Sequence, residues 1–178
     1  MKARMTEGTT PRIYVADLAA YNAGKLRGVW IDADQGVDQI RAQVSEMLAA
    51  SPEPGAEEWA IHDYEGFGPI KLDEYDDLED VARIAELIAE HGDLFAQLID
   101  HFGRDHVDEA VRAMDESYAG AFDSLAEWAE QFAEDTGPPD CGPYTNYIDW
   151  ERFAHDAELG GDIFTIESGG KVHVFHGN

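Results

Sequence analysis

Arg12-Ile-Tyr-Val-Ala-Asp-Leu-Ala-Ala-Tyr-Asn-Ala-Gly-Lys-Leu-Arg-Gly-Val-Trp-Ile-Asp32 is the most informative stretch of the chain. Residues 12–18 read as a strand, and residues 27–32 as a second one. Both are short runs rich in β-branched and aromatic side chains. Between them Tyr21-Asn-Ala-Gly-Lys25 is a turn signal, so the pair predicts a hairpin with a long loop. Working outward, Asp34 is placed to cap a helix from about Gly36 to Ala49. The apolar face of that helix would be Val37, Ile40, Val44, Met47 and Leu48, at helical spacing. Ser51-Pro-Glu-Pro-Gly55 breaks it. Glu58 to Tyr64 reads as a third strand, with Trp59 and Ile61 on one face. The result is a ββαβ unit over residues 11–66.

Glu65-Gly-Phe-Gly-Pro69 marks a boundary, and the pattern then turns helical. Leu78, Val81, Ala85 and Ile88 share one face, with Glu79, Arg83, Glu86 and Glu90 opposite, up to a stop at Gly92. Leu94, Phe95, Leu98, Ile99 and Phe102 form the next stripe, closed by Gly103. Val107, Ala110, Val111 and Met114 form a third, flanked by Asp105, Asp108, Glu109, Asp115 and Glu116. Residues 67–117 are thus expected to be an acidic helical layer. In residues 118–178, Ser124 and Glu127 fit a capping box before a helix burying Leu125, Trp128, Ala129 and Phe132. Its outer row is Glu127, Glu130 and Glu134. Gly137-Pro-Pro139 breaks the chain. Asp149 suits the N-cap of a helix to Leu159, ended by Gly160-Gly161. Asp162–Glu167 and Lys171–Phe175 predict a hairpin about Ser168-Gly-Gly170. The fold class is α+β.

The chain has 178 residues, with 12 Lys plus Arg against 38 Asp plus Glu, for a net charge of −26. That excess argues against direct nucleic-acid binding, which needs a basic footprint, and against an anionic membrane surface. With 44% hydrophobic residues the chain can build cores, so wholesale disorder is not expected. One cysteine, Cys141, precludes a disulfide framework within the chain and suits a reducing cytoplasm. Met1 to Pro11 is polar, so no secretory signal is expected, and no apolar run is long enough to span a membrane.

The charge is segregated. Residues 1–52 hold 6 acids and 6 bases, residues 53–135 hold 25 acids and 4 bases, and residues 136–178 hold 7 acids and 2 bases. Adaptation to salt would tint every surface, and the first 52 residues are untouched. A solvated acidic face is the plain alternative.

Motifs for chemistry are weak. Asp32-Ala-Asp-Gln-Gly36 begins like a calcium loop but lacks an oxygen ligand at its fifth position and has Gln43 at its twelfth. The carboxylates of Asp73-Glu-Tyr-Asp-Asp77 suit a helix N-terminus better than a divalent ion. His173 and His176 would point to opposite faces of a strand, a poor zinc pair. Cys141 has no local nucleophile signature. Paired carboxylates carry no information in a chain with so many acids, and there is no phosphate-cradling glycine motif. Trp59, Trp128, Phe95 and Phe102 sit at core spacing. No catalytic residue, cofactor site or metal site is therefore assigned.

What remains is the acidic face. Carboxylates four residues apart on a helix step about 6 Å. Duplex DNA carries about one charge per 1.7 Å of axis, so 26 net charges match roughly 44 Å, or about 13 base pairs. A basic groove built for DNA would bind such an array through the same electrostatics. The candidate partner-binding residues are Asp73, Glu74, Asp76, Asp77, Glu79, Asp80, Glu86, Glu90, Asp105, Asp108, Glu109, Asp115, Glu116, Glu127, Glu130 and Glu134. Two other readings compete: a divalent-metal protein or hydrolase using clustered carboxylates, and a decoy for another DNA-binding protein.

The chain resembles the ArdA family of antirestriction proteins. The resemblance rests on residues 12–32 quoted above, Ile61-His-Asp-Tyr-Glu-Gly-Phe67, Glu74-Tyr-Asp-Asp-Leu-Glu-Asp-Val81 and Tyr147-Ile-Asp-Trp-Glu-Arg-Phe-Ala154. It runs from about Pro11 to the C-terminal hairpin. It implies a DNA mimic that occupies the DNA-binding groove of the methyltransferase core of a Type I restriction–modification enzyme, without catalysis or cofactor. It also implies three small domains in an elongated homodimer, joined through the C-terminal one. The setting it implies is the bacterial cytoplasm, on a mobile element or phage. The family pattern has an Arg-Asp pair after Asp149-Trp-Glu151, where this chain has His155-Asp156.

Overall fold

A computed structural model describes residues 10–137 and 142–177. The chain is mixed helix and sheet, with two three-stranded sheets among the described residues, as the α+β expectation had it. It divides into two compact units between Arg104 and Asp105.

In the first unit, β1 (Arg12–Asp17) is the central strand, flanked by β2 (Gly28–Asp32) and β3 (Trp59–Glu65), both antiparallel to it. Ile13 and Val15 alternate into the core and are fully buried. They face Ile31 and Val29 across one ladder, and Tyr64 and Ile61 across the other. The β1–β3 register slips between Tyr14 and Val15, a local irregularity of the bulge kind. Helix α2 (Val37–Ala49) lays Ile40, Val44 and Met47 against the sheet. Two further helices complete the unit: α3 (Leu78–His91), which packs on α2, and α4 (Asp93–Phe102). Glycines at positive φ, Gly92 (79°) and Gly103 (92°), end these helices where the sequence puts the stops.

Two local expectations are corrected. The connection after β1 is not an open loop. Leu18–Asn22 forms a helical turn, α1, because the buried Asp17 accepts the Ala20 N–H at 3.1 Å and caps it. Nor does Asp34 cap α2. It sits within a 3-10 turn, Ala33–Gln35, and Gly36 at φ 87° is the residue before the helix, with no side-chain cap.

Asp17 has a second partner, Arg27, whose Nε lies 3.8 Å from Oδ2. Burial pushes the Asp17 carboxyl up. The nearby Ser51 hydroxyl, the Ala20 and Ala19 amides and the Arg27 charge outweigh it and hold the group below its ordinary value. A lowered folded-state value stabilises the fold above the unfolded-state value, and that stabilisation is lost as pH falls through the folded one. Asp17→Ala is expected to destabilise the protein by about 1–2 kcal/mol near pH 7, the worth of a helix cap. The gap from wild type should shrink as pH falls from the unfolded-state value of about 4 through the lower folded-state one. Urea unfolding of both proteins at neutral and acid pH checks this; a gap that does not change with pH would contradict it.

In the second unit, α5 (Val107–Arg112) loosens into a π-type turn over Ala113–Ser117 rather than continuing as one regular helix through Met114. The chain then enters a strand that the sequence reading missed, β4 (Tyr118–Phe122). It pairs with β6 (Lys171–His176), which also pairs with β5 (Ile163–Ser168). The expected C-terminal hairpin is therefore part of a three-stranded sheet, β4-β6-β5. Two helices cover it, α6 (Leu125–Thr136) and α7 (Trp150–Gly160). Trp128, Ala129, Ala154, Ile163 and Val174 form the core, with Phe122, Leu125, Trp150, Ala157 and Val172 packed around them. Phe132 is not in it: it is 36% exposed and stacks on Trp128 at 5.4 Å, while Ala133 takes the buried position. Asp149 caps α7 as expected, accepting the Arg152 N–H at 3.0 Å.

On β6, the His173 Nδ1 lies 2.8 Å from the Tyr118 hydroxyl and its Nε2 3.3 Å from the Ser168 carbonyl. Both bonds are made by a neutral imidazole that accepts from Tyr118 at Nδ1 and donates from Nε2. Burial holds the His173 pKa below its ordinary value, against the opposing pull of the Ser168 carbonyl. The Gly137-Pro-Pro139 break lies largely outside the described residues, and Cys141 lies wholly outside them.

Candidate functional site

Helical periodicity puts most of the acids outside. In the first unit Asp73, Glu74, Asp77, Glu79, Asp80, Glu86 and Glu90 are exposed. The exception is Asp76, which is half-buried. Its Oδ2 meets the Arg104 guanidinium at 2.6 Å and accepts the Asp73 N–H at 2.8 Å. Arg104 also donates to the Lys71 carbonyl at 2.7 Å, so this pair pins the acidic loop to the end of α4. Asp77 caps α3, accepting the Glu79 N–H at 2.8 Å. Carboxylates at the start of a helix are favoured by its positive end, so Asp77, Glu79 and Asp80 stabilise α3 while facing solvent. Along α3, Glu79, Glu86 and Glu90 recur with Arg83 in the same row.

In the second unit Asp105, Asp108, Glu109, Asp115, Glu116, Glu127, Glu130 and Glu134 are all exposed. Glu109 pairs with His106 at 3.2 Å. The Ser124 hydroxyl accepts the Glu127 N–H at 3.1 Å, and the Glu127 carboxylate reaches back to the Asp123 N–H at 2.6 Å. This is the reciprocal pattern of a capping box, moved one residue earlier. Glu127, Glu130 and Glu134 then stand on one face of α6 over about 10 Å of helix.

The structure thus exposes fifteen of the sixteen candidate carboxylates and commits Asp76 to Arg104. Asp63, Asp93, Asp100 and Asp135 are exposed as well. They fall off the helical rows the sequence reading followed, and only their polar positions could have signalled them.

Electrostatics follow from the ratio. Four basic residues cannot neutralise 25 acids within residues 53–135, however they pair. Neighbours about 6 Å apart lie within the Debye length of about 8 Å at physiological salt. The rows therefore repel themselves, and a cationic partner relieves that repulsion. Such an arrangement can attract and steer a basic surface over a long range. Among the described residues no three His, Cys, Asp or Glu side chains gather as a metal-ligand set. Among them, too, no helix is long and apolar enough to cross a membrane.

A comparison with curated proteins gives no match. The family comparison does: residues 13–172 match the antirestriction protein (ArdA) family. The match spans both units, including both sheets and the acidic helices. The chain belongs to the ArdA family of antirestriction proteins, which act against restriction–modification enzymes.

Proposed function

We propose that this protein blocks a Type I restriction–modification enzyme by lying in the DNA-binding groove of its methyltransferase core, with carboxylates standing where DNA phosphates would. The observation that carries this reading is the segregated, solvent-facing array of acids over residues 53–135, on a chain whose first 52 residues are neutral. A generally acidic protein would not be built that way. Inhibition is stoichiometric and the protein turns nothing over. Titrating it against a purified Type I enzyme cutting unmodified DNA should protect the DNA at near-equimolar ratios, with no dependence on preincubation time. Cleavage that persists at large excess would overturn the reading.

The reading includes an elongated homodimer in the bacterial cytoplasm, with segments 11–66, 67–117 and 118–178 as three small domains and the last as the dimer contact. Exposed apolar side chains offer surface for that contact, with Tyr144, Tyr147, Phe153 and Leu159 on the second unit, while Leu26 and Tyr75 are as exposed on the first. Light scattering on the purified protein should give twice the chain mass of 19.7 kDa. Leu159→Glu, at a position 74% exposed, should lower it toward one chain without unfolding the protein. A wild-type mass of one chain at micromolar concentration would contradict the dimer.

A further inference from the structure

We propose that a groove in the first unit is an anchor for one guanidinium side chain of the partner enzyme, held between aromatic surface and carboxylates. This rests on the functional reading above and goes beyond its distributed charge. The groove has a volume of about 590 Å³ and lies where α2, β3 and the loop before α3 meet. Val44 and Leu48 of α2 and Trp59 of β3 give it apolar and aromatic walls, and Glu57 and Asp77 supply carboxylates. Tyr75 stands at its side in a turn, 73% exposed.

Each feature selects the same occupant. A large aromatic ring left in water beside a half-buried Trp is unused binding surface. Two carboxylates beside it exclude an anion. A guanidinium suits the site better than an ammonium: it is planar, weakly hydrated, stacks on aromatic rings and presents a fork to carboxylates. Among the described residues that line the groove Arg41 is a cation, and its charge works against a second guanidinium close to it. Its guanidinium lies 3.7 Å from a Glu79 oxygen and 4.0 Å from an Asp38 oxygen, so it is drawn toward carboxylates that do not line the groove. The exposed acidic rows act through screened pairs of small individual worth. A partly desolvated aromatic cleft is the kind of place where a single contact dominates an interface.

The test has two arms, both on the full chain. In the first, methylguanidinium is titrated in and the Trp59 indole N–H and Tyr75 ring signals are followed by NMR, against sodium chloride at equal ionic strength. The expected result is a saturable shift at both residues beyond the salt control, with the Trp59 shift lost in Tyr75→Ala. No shift beyond the control, or one indifferent to Tyr75→Ala, would overturn the anchor. In the second arm the protein displaces a labelled duplex from the Type I methyltransferase core. Tyr75→Ala should need about tenfold more protein, with the salt dependence unchanged, and Tyr75→Phe should behave as wild type. Glu86→Gln should shift the midpoint by less than about threefold while flattening the salt dependence. Tyr75→Ala equal to an active wild type would overturn the anchor and leave the functional reading standing. A wild-type protein that displaces nothing would sink the functional reading, and the first arm alone would then decide whether the groove holds a guanidinium.

Discussion

Replacing six exposed carboxylates together, by Asp80→Asn, Glu86→Gln, Asp115→Asn, Glu116→Gln, Glu130→Gln and Glu134→Gln, is expected to weaken inhibition about a hundredfold. None of the six is used in a cap or an ion pair described above, and all face solvent. An exposed ion pair is worth about 0.2–1 kcal/mol, so six at about 0.5 give about 3 kcal/mol, or roughly two powers of ten. Each substitution alone should shift the inhibitory concentration by less than about threefold. The net charge moves only from −26 to −20, so the protein stays acidic and should stay folded. Relief of self-repulsion offsets the weaker helix-end interaction lost at Asp80. Inhibition titrations on the single and combined variants, each checked by thermal unfolding, decide the matter. One single substitution that abolishes inhibition in a folded protein would contradict a distributed array.

Trp128→Ala is expected to have the largest effect on stability, about 3–5 kcal/mol. Trp128 is 4% exposed, at the centre of the core that α6 and α7 build over the C-terminal sheet. Its removal leaves a cavity among Ala129, Ala154, Ile163 and Val174, two of them too small and two too stiff to refill it. It also strips Phe132 of its stacking partner. Trp128→Phe should cost less, because an aromatic ring remains. Chemical denaturation followed by circular dichroism checks the order of the two variants. An alanine variant as stable as wild type would mean that this core does not hold the second unit together. Because Glu127 and Glu130 flank Trp128 on α6, loss of this core should also lower inhibition, with no change of charge.

The sequence made legible whatever follows from local periodicity. Ile13 and Val15 define β1, and Ile40, Val44 and Met47 define the inner face of α2. Gly92 and Gly103 end helices because their positive φ suits a residue without a Cβ. The same periodicity exposed the acids of α3, α5 and α6, since a carboxylate opposite an apolar stripe has nowhere to go but solvent. Features made by distant residues were not legible. Strand β4 is Tyr118-Ala-Gly-Ala-Phe122, with no β-branched residue, and it exists because Tyr118 and Phe122 find Phe175 and Val172 on β6. Asp76 looked like its neighbours until Arg104, 28 residues on, claimed it. The groove beside Tyr75 is assembled from three separate stretches of chain, which no local pattern announces. Asp17 falls within the run 12–18 that reads as a strand; its role in capping α1 depends on a turn that propensity alone assigns to loop.

The central claim is that this protein and DNA compete for one groove through the same electrostatics. The most direct measurement holds a purified Type I methyltransferase core on a labelled duplex containing its recognition site and titrates the wild-type protein in at two salt concentrations. The account predicts displacement at near-stoichiometric ratios at low salt, weakening as salt rises. A ternary complex in which the duplex stays bound, or no displacement at either salt by a folded protein, would contradict it.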